Sequence, residues 1–333
     1  MPDTDIAPHY LPWQASLLER AVKLKSEQRL PHAVMIDTAS EVDISAFIWH
    51  LSMLLLCDQP QDLSPCGSCQ ACRMMQAGTY SDFGLVTLEA DEKTKKISKN
   101  IKIDQIRDLI HEVTLTHQYD GLKIAAIYPA EAMNKASANA LLKTLEEPAP
   151  RVLIMLLTHN SGRIPITLRS RCQSWSIDPP TAQQAREWLA AEGLSEEDSQ
   201  RYLDYAGGDP LLALDLQHKD YAALVTQFKS RFSQFLRSEL SVASLCQELL
   251  SFETASVRRL VNMTLSAYCY QTSGVDTDAN PGPGANRSRA RRLLDLRLRA
   301  QNQLRIEENY LDFQLQLEDV LISLKQILTR RMN

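Results

Sequence analysis

The 333 residues are enough for two or three domains rather than one growing core, and a 44% apolar, 6% aromatic composition is that of a folded globular protein. A formal charge of −5 argues against a chain that grips nucleic acid over most of its surface, because neutralising phosphates takes an excess of lysine and arginine. Charged residues punctuate the first thirty positions, and the most apolar run, Phe47 to Leu56, is too short to span a bilayer; the expected location is cytoplasmic, with no membrane partner.

Pro12 to Leu30 sets Trp13, Leu17, Val22, Leu24 and Leu30 among charges, which predicts an irregular amphipathic helix. Ala33 to Ile36 reads as a short strand and Ile44 to Leu56 as a helix. The segment between them, from Asp37 to Ser45, stands where an α/β nucleotide-binding fold carries its phosphate loop. A working loop needs glycines so that backbone amides can curl around phosphate, a lysine for the β and γ groups, and a hydroxyl for magnesium. This segment has no glycine and no lysine, while Glu41 and Asp43 add negative charge. No ATP is expected to bind there.

Seven cysteines without a secretion signal do not suggest a disulfide scaffold, but four of them cluster as Cys57-x8-Cys66-x2-Cys69-x2-Cys72. Two-residue gaps let neighbouring thiolates turn toward one ion, and the longer gap can bring in a fourth ligand from a helix end. Tetrahedral zinc is the expected occupant, and it would be structural, since four sulfurs leave no position open for water. An iron–sulfur cluster and unligated thiols are the alternatives. Cys172, Cys246 and Cys269 stand singly and read as small buried side chains.

Lys93, Lys95, Lys96, Lys99 and Lys102 form a basic run that reads as a solvated loop. Phe83 to Leu88 is expected as a strand, Ile103 to Val113 as an amphipathic helix, and Lys123 to Tyr128 as a buried strand. In a nucleotide-driven motor that last strand would end in carboxylates positioning Mg²⁺ and water; here it ends in Tyr128-Pro129. Glu131 follows on the next element, where an acid near a helix start has an electrostatic explanation. Ala130 to Glu147 is expected as one helix, stopped by Pro148. Arg151 to Thr158 is a continuous apolar strand, as in sheets covered on both faces. Thr158 or Asn160 stands at its polar end, either as a sensor or as a cap.

Two helices follow, Ala182 to Ala191 and Glu196 to Ala206, the second ended by Gly207-Gly208. From His218 onward the pattern is long, charged and leucine-rich. Phe228, Phe232, Phe235 and Leu236 suggest one apolar face, Leu294, Leu298 and Leu304 another, and Leu311 to Leu328 a terminal helix. Thr272 to Asn286 is rich in turn formers and is expected to be a mobile loop.

Asn139-Ala140-Leu141-Leu142-Lys143-Thr144-Leu145-Glu146-Glu147-Pro148, followed by Leu168-Arg169-Ser170-Arg171-Cys172, resembles the clamp-loader branch of the AAA+ family. The four-cysteine insertion and the degenerate phosphate loop fit the same resemblance, which is strongest over His32 to Cys172. It implies an α/β fold followed by an all-α region. A degenerate AAA+ parallel-sheet domain with a zinc-binding insertion (1–178, the module at 57–72) would precede a small helical lid domain (179–217) and a C-terminal helical collar domain (218–333).

By that resemblance Arg171 is an arginine finger acting in trans on ATP held by an adjacent motor subunit; without it, the plain reading of Arg171 is a salt bridge to the chain's own acids. Ile44 would occupy the phosphate-loop lysine position, Tyr128 and Pro129 the magnesium-binding Asp and catalytic Glu positions, and Pro210 the second sensor arginine position. The implied function is that of a non-ATPase subunit that helps assemble a sliding-clamp loader for processive DNA replication, within a DNA polymerase holoenzyme rather than as an autonomous enzyme. The implied partners are gamma/tau ATPase subunits and a delta subunit, with the sliding clamp and primer–template DNA in the assembly. A stand-alone zinc-containing DNA-binding protein is one alternative, and a divergent active AAA+ ATPase using Lys143 or Lys123 is another.

Overall fold

The computed structural model describes residues 10–38, 44–90, 98–114, 121–273, 285–303 and 313–329, which fall in two compact units, Met1–Gly193 and Leu194–Asn333. In the first unit β1 (Ala33–Thr38), β2 (Phe83–Val86), β3 (Lys123–Ile127), β4 (Val152–Thr158) and β5 (Gln173–Ile177) form one parallel sheet in the order β2-β3-β4-β1-β5. Its helices are α1 (Ala15–Ser26), α2 (Ser45–Leu56), α3 (Gln70–Gln76), α4 (Ile103–Thr114), α5 (Lys135–Glu146), α6 (Ile166–Arg169) and α7 (Ala182–Ala191).

The central strands β3 and β4 are buried along their whole length, as their continuous apolar runs require when helices cover both faces. Ile106 and Leu109 from α4 and Leu141 and Leu145 from α5 join Ile154 and Leu156 of β4 in one apolar cluster. The edge strand β5 alternates instead, with Trp175 and Ile177 inward and Gln173, Ser174 and Ser176 exposed. Two apolar residues among a glutamine and two serines give little strand signal, so this element was not expected; it forms because β1 offers it a parallel partner. The Arg20 guanidinium of α1 lies 5.2 Å from the Trp175 ring centroid, and Trp188 of α7 meets Trp13 edge-on at 5.8 Å.

Several expected boundaries move. The helix expected over Pro12 to Leu30 is a 3₁₀ turn at Pro12–Gln14 followed by α1, and it stops at Ser26 because Gln28 takes a left-handed φ of 54°. The helix expected from Ala130 begins at Lys135, where the Asn134 side chain accepts the Ser137 N–H at 2.9 Å; Ala130–Ala132 is a separate 3₁₀ turn. The strand expected to reach Leu88 ends at Val86.

Lys123, at the first position of β3, is buried with its ammonium 3.2 Å from Asp82 and donates to the Glu112 carbonyl at 2.9 Å; the two side chains are 4% and 1% exposed. Removing one member of such a pair strands the other charge. Asp82→Ala is therefore expected to cost about 3–5 kcal/mol in urea unfolding, and a loss below about 1 kcal/mol would show that the pair is not a buried charge pair in solution.

The second unit is helical: α8 (Glu196–Ala206), α9 (Pro210–His218), α10 (Tyr221–Leu236), α11 (Val242–Leu249), α12 (Thr254–Ser273), α13 (Ala285–Gln303) and α14 (Phe313–Thr329). Ser195, Asp209 and Ser241 cap α8, α9 and α11 by accepting backbone N–H groups, and Gly207 ends α8 in the left-handed region at φ 66°. Phe228, Phe232 and Phe235 of α10 are buried as their spacing predicts.

The face of α13 is a correction. Leu293, Leu296 and Ala300 are buried, whereas Leu294 and Leu298 are 48% and 51% exposed. With Leu293 and Leu294 adjacent, periodicity alone does not choose a stripe, and packing against α12 and α14 selects the one a residue earlier. Leu304, Lys93, Lys95 and Lys96 lie outside the described residues, as does most of the loop expected at 272–286, of which 272–273 and 285–286 are helical. No described helix is long and apolar enough to cross a membrane.

Candidate functional site

In open parallel sheets ligands bind outside the carboxyl ends of the strands. At that edge Thr38 and Thr158 are buried, and Ile44, the N-cap of α2, is also buried. An apolar side chain therefore opens the helix that follows β1; Ala39 to Asp43 lie outside the described residues. Beyond β3 the Tyr128 hydroxyl shares a 2.9 Å hydrogen bond with His159 Nε2, the rings meeting at 74°. Glu131 Oε1 accepts the His159 backbone N–H at 3.2 Å, Thr158 Oγ1 accepts the Asn160 N–H at 3.0 Å, and Asn160 Oδ1 accepts the Gly162 N–H at 3.1 Å.

These polar groups build the turn after β4. The Asn160 contacts are those of a cap, the second of the two roles its sequence position allowed. Glu131 is tied through Oε1 to the backbone just after β4. His159 carried no sequence signal, because its partner stands 31 residues away, just beyond the end of β3.

The two lysines considered for a divergent ATPase fall elsewhere. Lys123 is buried at the amino end of β3, about 13 Å along the strand from the carboxyl edge, and is committed to Asp82. Lys143 is exposed in the last turn of α5, just before the chain re-enters the sheet at the amino end of β4.

Arg171 also lies at the amino edge, between the end of α6 and the start of β5. Its Nη2 is 2.6 Å from Glu146 Oε1 and its Nη1 donates to the Thr167 carbonyl at 2.8 Å. The side chain is 35% exposed. The salt bridge to an acid of the same chain is thus present, and Arg171 stands at the opposite end of the strands from the carboxyl edge.

The four clustered cysteines come together. Cys57 ends α2, Cys69 caps α3, and the sulfurs of Cys57, Cys66, Cys69 and Cys72 all lie within 4.8 Å of one another. The chain folds this way locally because backbone N–H groups point at sulfur. Cys66 N–H reaches Cys57 Sγ at 3.3 Å, Cys69 N–H reaches Cys66 Sγ at 3.3 Å, and Cys72 N–H reaches Cys69 Sγ at 3.4 Å, with Gly67 supplying a left-handed φ of 70°.

A tetrahedron with metal–sulfur bonds of about 2.3 Å has edges of about 3.8 Å, so the four thiols are close enough to hold one ion. Donation from the Ser68 and Cys69 amides pulls the Cys66 thiol down to about 6, whereas burial pushes Cys57 and Cys72 up. Two buried and two half-buried thiols converging on one point suit a site completed by a cation.

Two residues of the domain body hold this module, and neither was apparent in the sequence. Lys25 of α1 donates from Nζ to the Cys57 carbonyl at 3.0 Å, and His50 Nε2 of α2 lies 2.7 Å from the Leu63 carbonyl. Of the remaining cysteines only Cys246 is fully buried, its thiol pushed up to about 12 by burial; Cys172, pushed up to about 11 by the same cause, and Cys269 are half-buried.

Residues 13–181 match the family described as DNA polymerase III, delta subunit. A DNA polymerase III subunit delta' of Pseudomonas aeruginosa is 32% identical over 243 residues, 71% of this chain and 70% of that protein. The corresponding Escherichia coli subunit is 34% identical over 212 residues, 63% of this chain and 62% of its own length. Among solved structures, a DNA polymerase III gamma-subunit-related protein from Thermotoga maritima aligns with a TM-score of 0.52 at 16% identity, covering 92% of this chain and 98% of its own, a likeness of fold. The match takes in all five strands of the parallel sheet and the helices from α1 to α6, with the cysteine cluster and Arg171, and with the Pseudomonas relative it places the chain in the DNA polymerase III delta-prime subunit family.

Proposed function

We propose that this chain is a clamp-loader subunit that does not hydrolyse ATP itself and lends Arg171 to ATP held by a neighbouring motor subunit. The observation that carries this reading is the position of Arg171 at the amino edge of the sheet, away from the carboxyl ends of the chain's own strands. A planar guanidinium with several fixed donors suits the charge that develops on a transferred phosphoryl group. The Tyr128–His159 pair and buried Ile44 support the complementary half, since the one offers no carboxylate to magnesium and the other no lysine to a triphosphate.

In this reading the partners are gamma/tau ATPase subunits and a delta subunit, and the assembly loads a sliding clamp onto primer–template DNA in the cytoplasm. The chain divides into a degenerate nucleotide-binding-like domain (1–178), a lid (179–217) and a collar (218–333). Cys57, Cys66, Cys69 and Cys72 hold a structural zinc ion, which fixes the turns between α2 and α3 and takes no part in chemistry.

Reconstitution tests it. The purified chain is expected neither to bind nor to hydrolyse ATP, while clamp- and DNA-stimulated turnover by gamma/tau plus delta is expected to rise when the chain is added. Turnover by the chain alone, or tight duplex binding without any of those partners together with no effect on their turnover, would remove the proposal.

A further inference from the structure

We propose that Glu146 is the positioning residue for Arg171, holding its guanidinium plane ready for the neighbouring subunit's ATP; this rests on the trans-finger reading above. A guanidinium carries five N–H donors in one plane. Two are engaged from two different elements: Glu146 at the end of α5 takes Nη2 at 2.6 Å, and the Thr167 carbonyl in α6 takes Nη1 at 2.8 Å. One contact would leave the plane rotating about a single hydrogen bond. Two contacts from separately packed helices define it, and α5 and α6 pack against each other. The other three N–H groups remain for an incoming anion.

The pair is poorly placed to stabilise the fold. Its side chains are 35% and 49% exposed, so solvent screens it and its worth to stability is small. A short charge-assisted contact with little stabilising value is what an orienting bond looks like: strong in geometry, weak in net energy. The value of orientation lies in the reaction, where misplacing a catalytic group by about 1 Å can cost about 100-fold.

The test is ATP turnover by the reconstituted clamp loader, stimulated by clamp and primer–template DNA, with wild type, R171A, E146A, E146Q and the R171A/E146A double variant. R171A sets the full deficit of the site this chain serves. A tenfold loss at that site makes E146A reproduce about nine-tenths of that deficit, with the ATP concentration for half-maximal turnover unchanged, because the neighbour holds the nucleotide. E146Q keeps the acceptor oxygen and should recover at least about half of the E146A loss. In the R171A background E146A should add nothing, which a merely structural role would not reproduce.

A full R171A deficit with E146A at wild-type turnover would overturn the inference and leave the finger reading standing. No R171A deficit would remove the finger reading and this inference together. A further loss on adding E146A to R171A, or faster turnover in E146A alone, would also overturn it, the first by giving Glu146 a separate role and the second by making it a restraint on Arg171.

Discussion

Arg171→Ala is expected to leave the purified subunit as stable as the wild type, within about 0.5 kcal/mol, while removing catalysis at the one ATP site it serves in the assembly. The first half follows from exposure: Arg171 contributes one screened ion pair and one hydrogen bond to a backbone carbonyl. The second half follows from the magnitude of an arginine finger, about 10³–10⁵ in rate at the affected site. Steady-state turnover of the whole complex should therefore fall by that site's entire share rather than by a graded amount. Arg171→Lys should fail nearly as badly, since an ammonium is a point charge without the planar fork. Equal turnover by wild-type and Arg171→Ala assemblies would take Arg171 out of the chemistry.

Loss of the metal is the second large effect. Cys69 is the N-cap of α3, a position that serine fills at least as well, so Cys69→Ser removes a ligand while keeping the cap. If the four sulfurs hold zinc as proposed, the variant is expected to bind less zinc than the wild type and to unfold at least about 3 kcal/mol more easily, about 6–12 °C for a unit of this size. A chelator should do the same to wild type, reversed by added zinc.

Lys25 gives a finer readout of the same site. Four thiolates around Zn²⁺ carry a net charge of −2, and the Lys25 ammonium, bonded to the Cys57 carbonyl, is a nearby compensating charge. Lys25→Met should lower zinc affinity about 10–100-fold in chelator competition, with Lys25→Arg retaining most of it. Wild-type protein purified with zinc present but holding no metal would sink both expectations.

The cysteine cluster was legible from spacing because its ligands are near neighbours, and short gaps confine them to one small volume. That Asp37 to Ser45 lacks the glycines and lysine of a working phosphate loop is likewise a local fact of the sequence. The buried strands β3 and β4 announced themselves by unbroken apolar runs.

What only the tertiary structure decided depends on partners far along the chain. β5 exists because β1 pairs with it, α13 turns Leu293 rather than Leu294 inward because α12 and α14 pack there, and Lys123 is neutralised by Asp82 from a different part of the chain. The contact between Glu146 and Arg171, 25 residues apart, is of the same kind. Periodicity and motif spacing are carried by adjacent residues and survive in the linear sequence. The edge of the sheet on which an arginine emerges, and the carboxylate that meets it, are set by how α5 and α6 pack, and that information is distributed over the whole core.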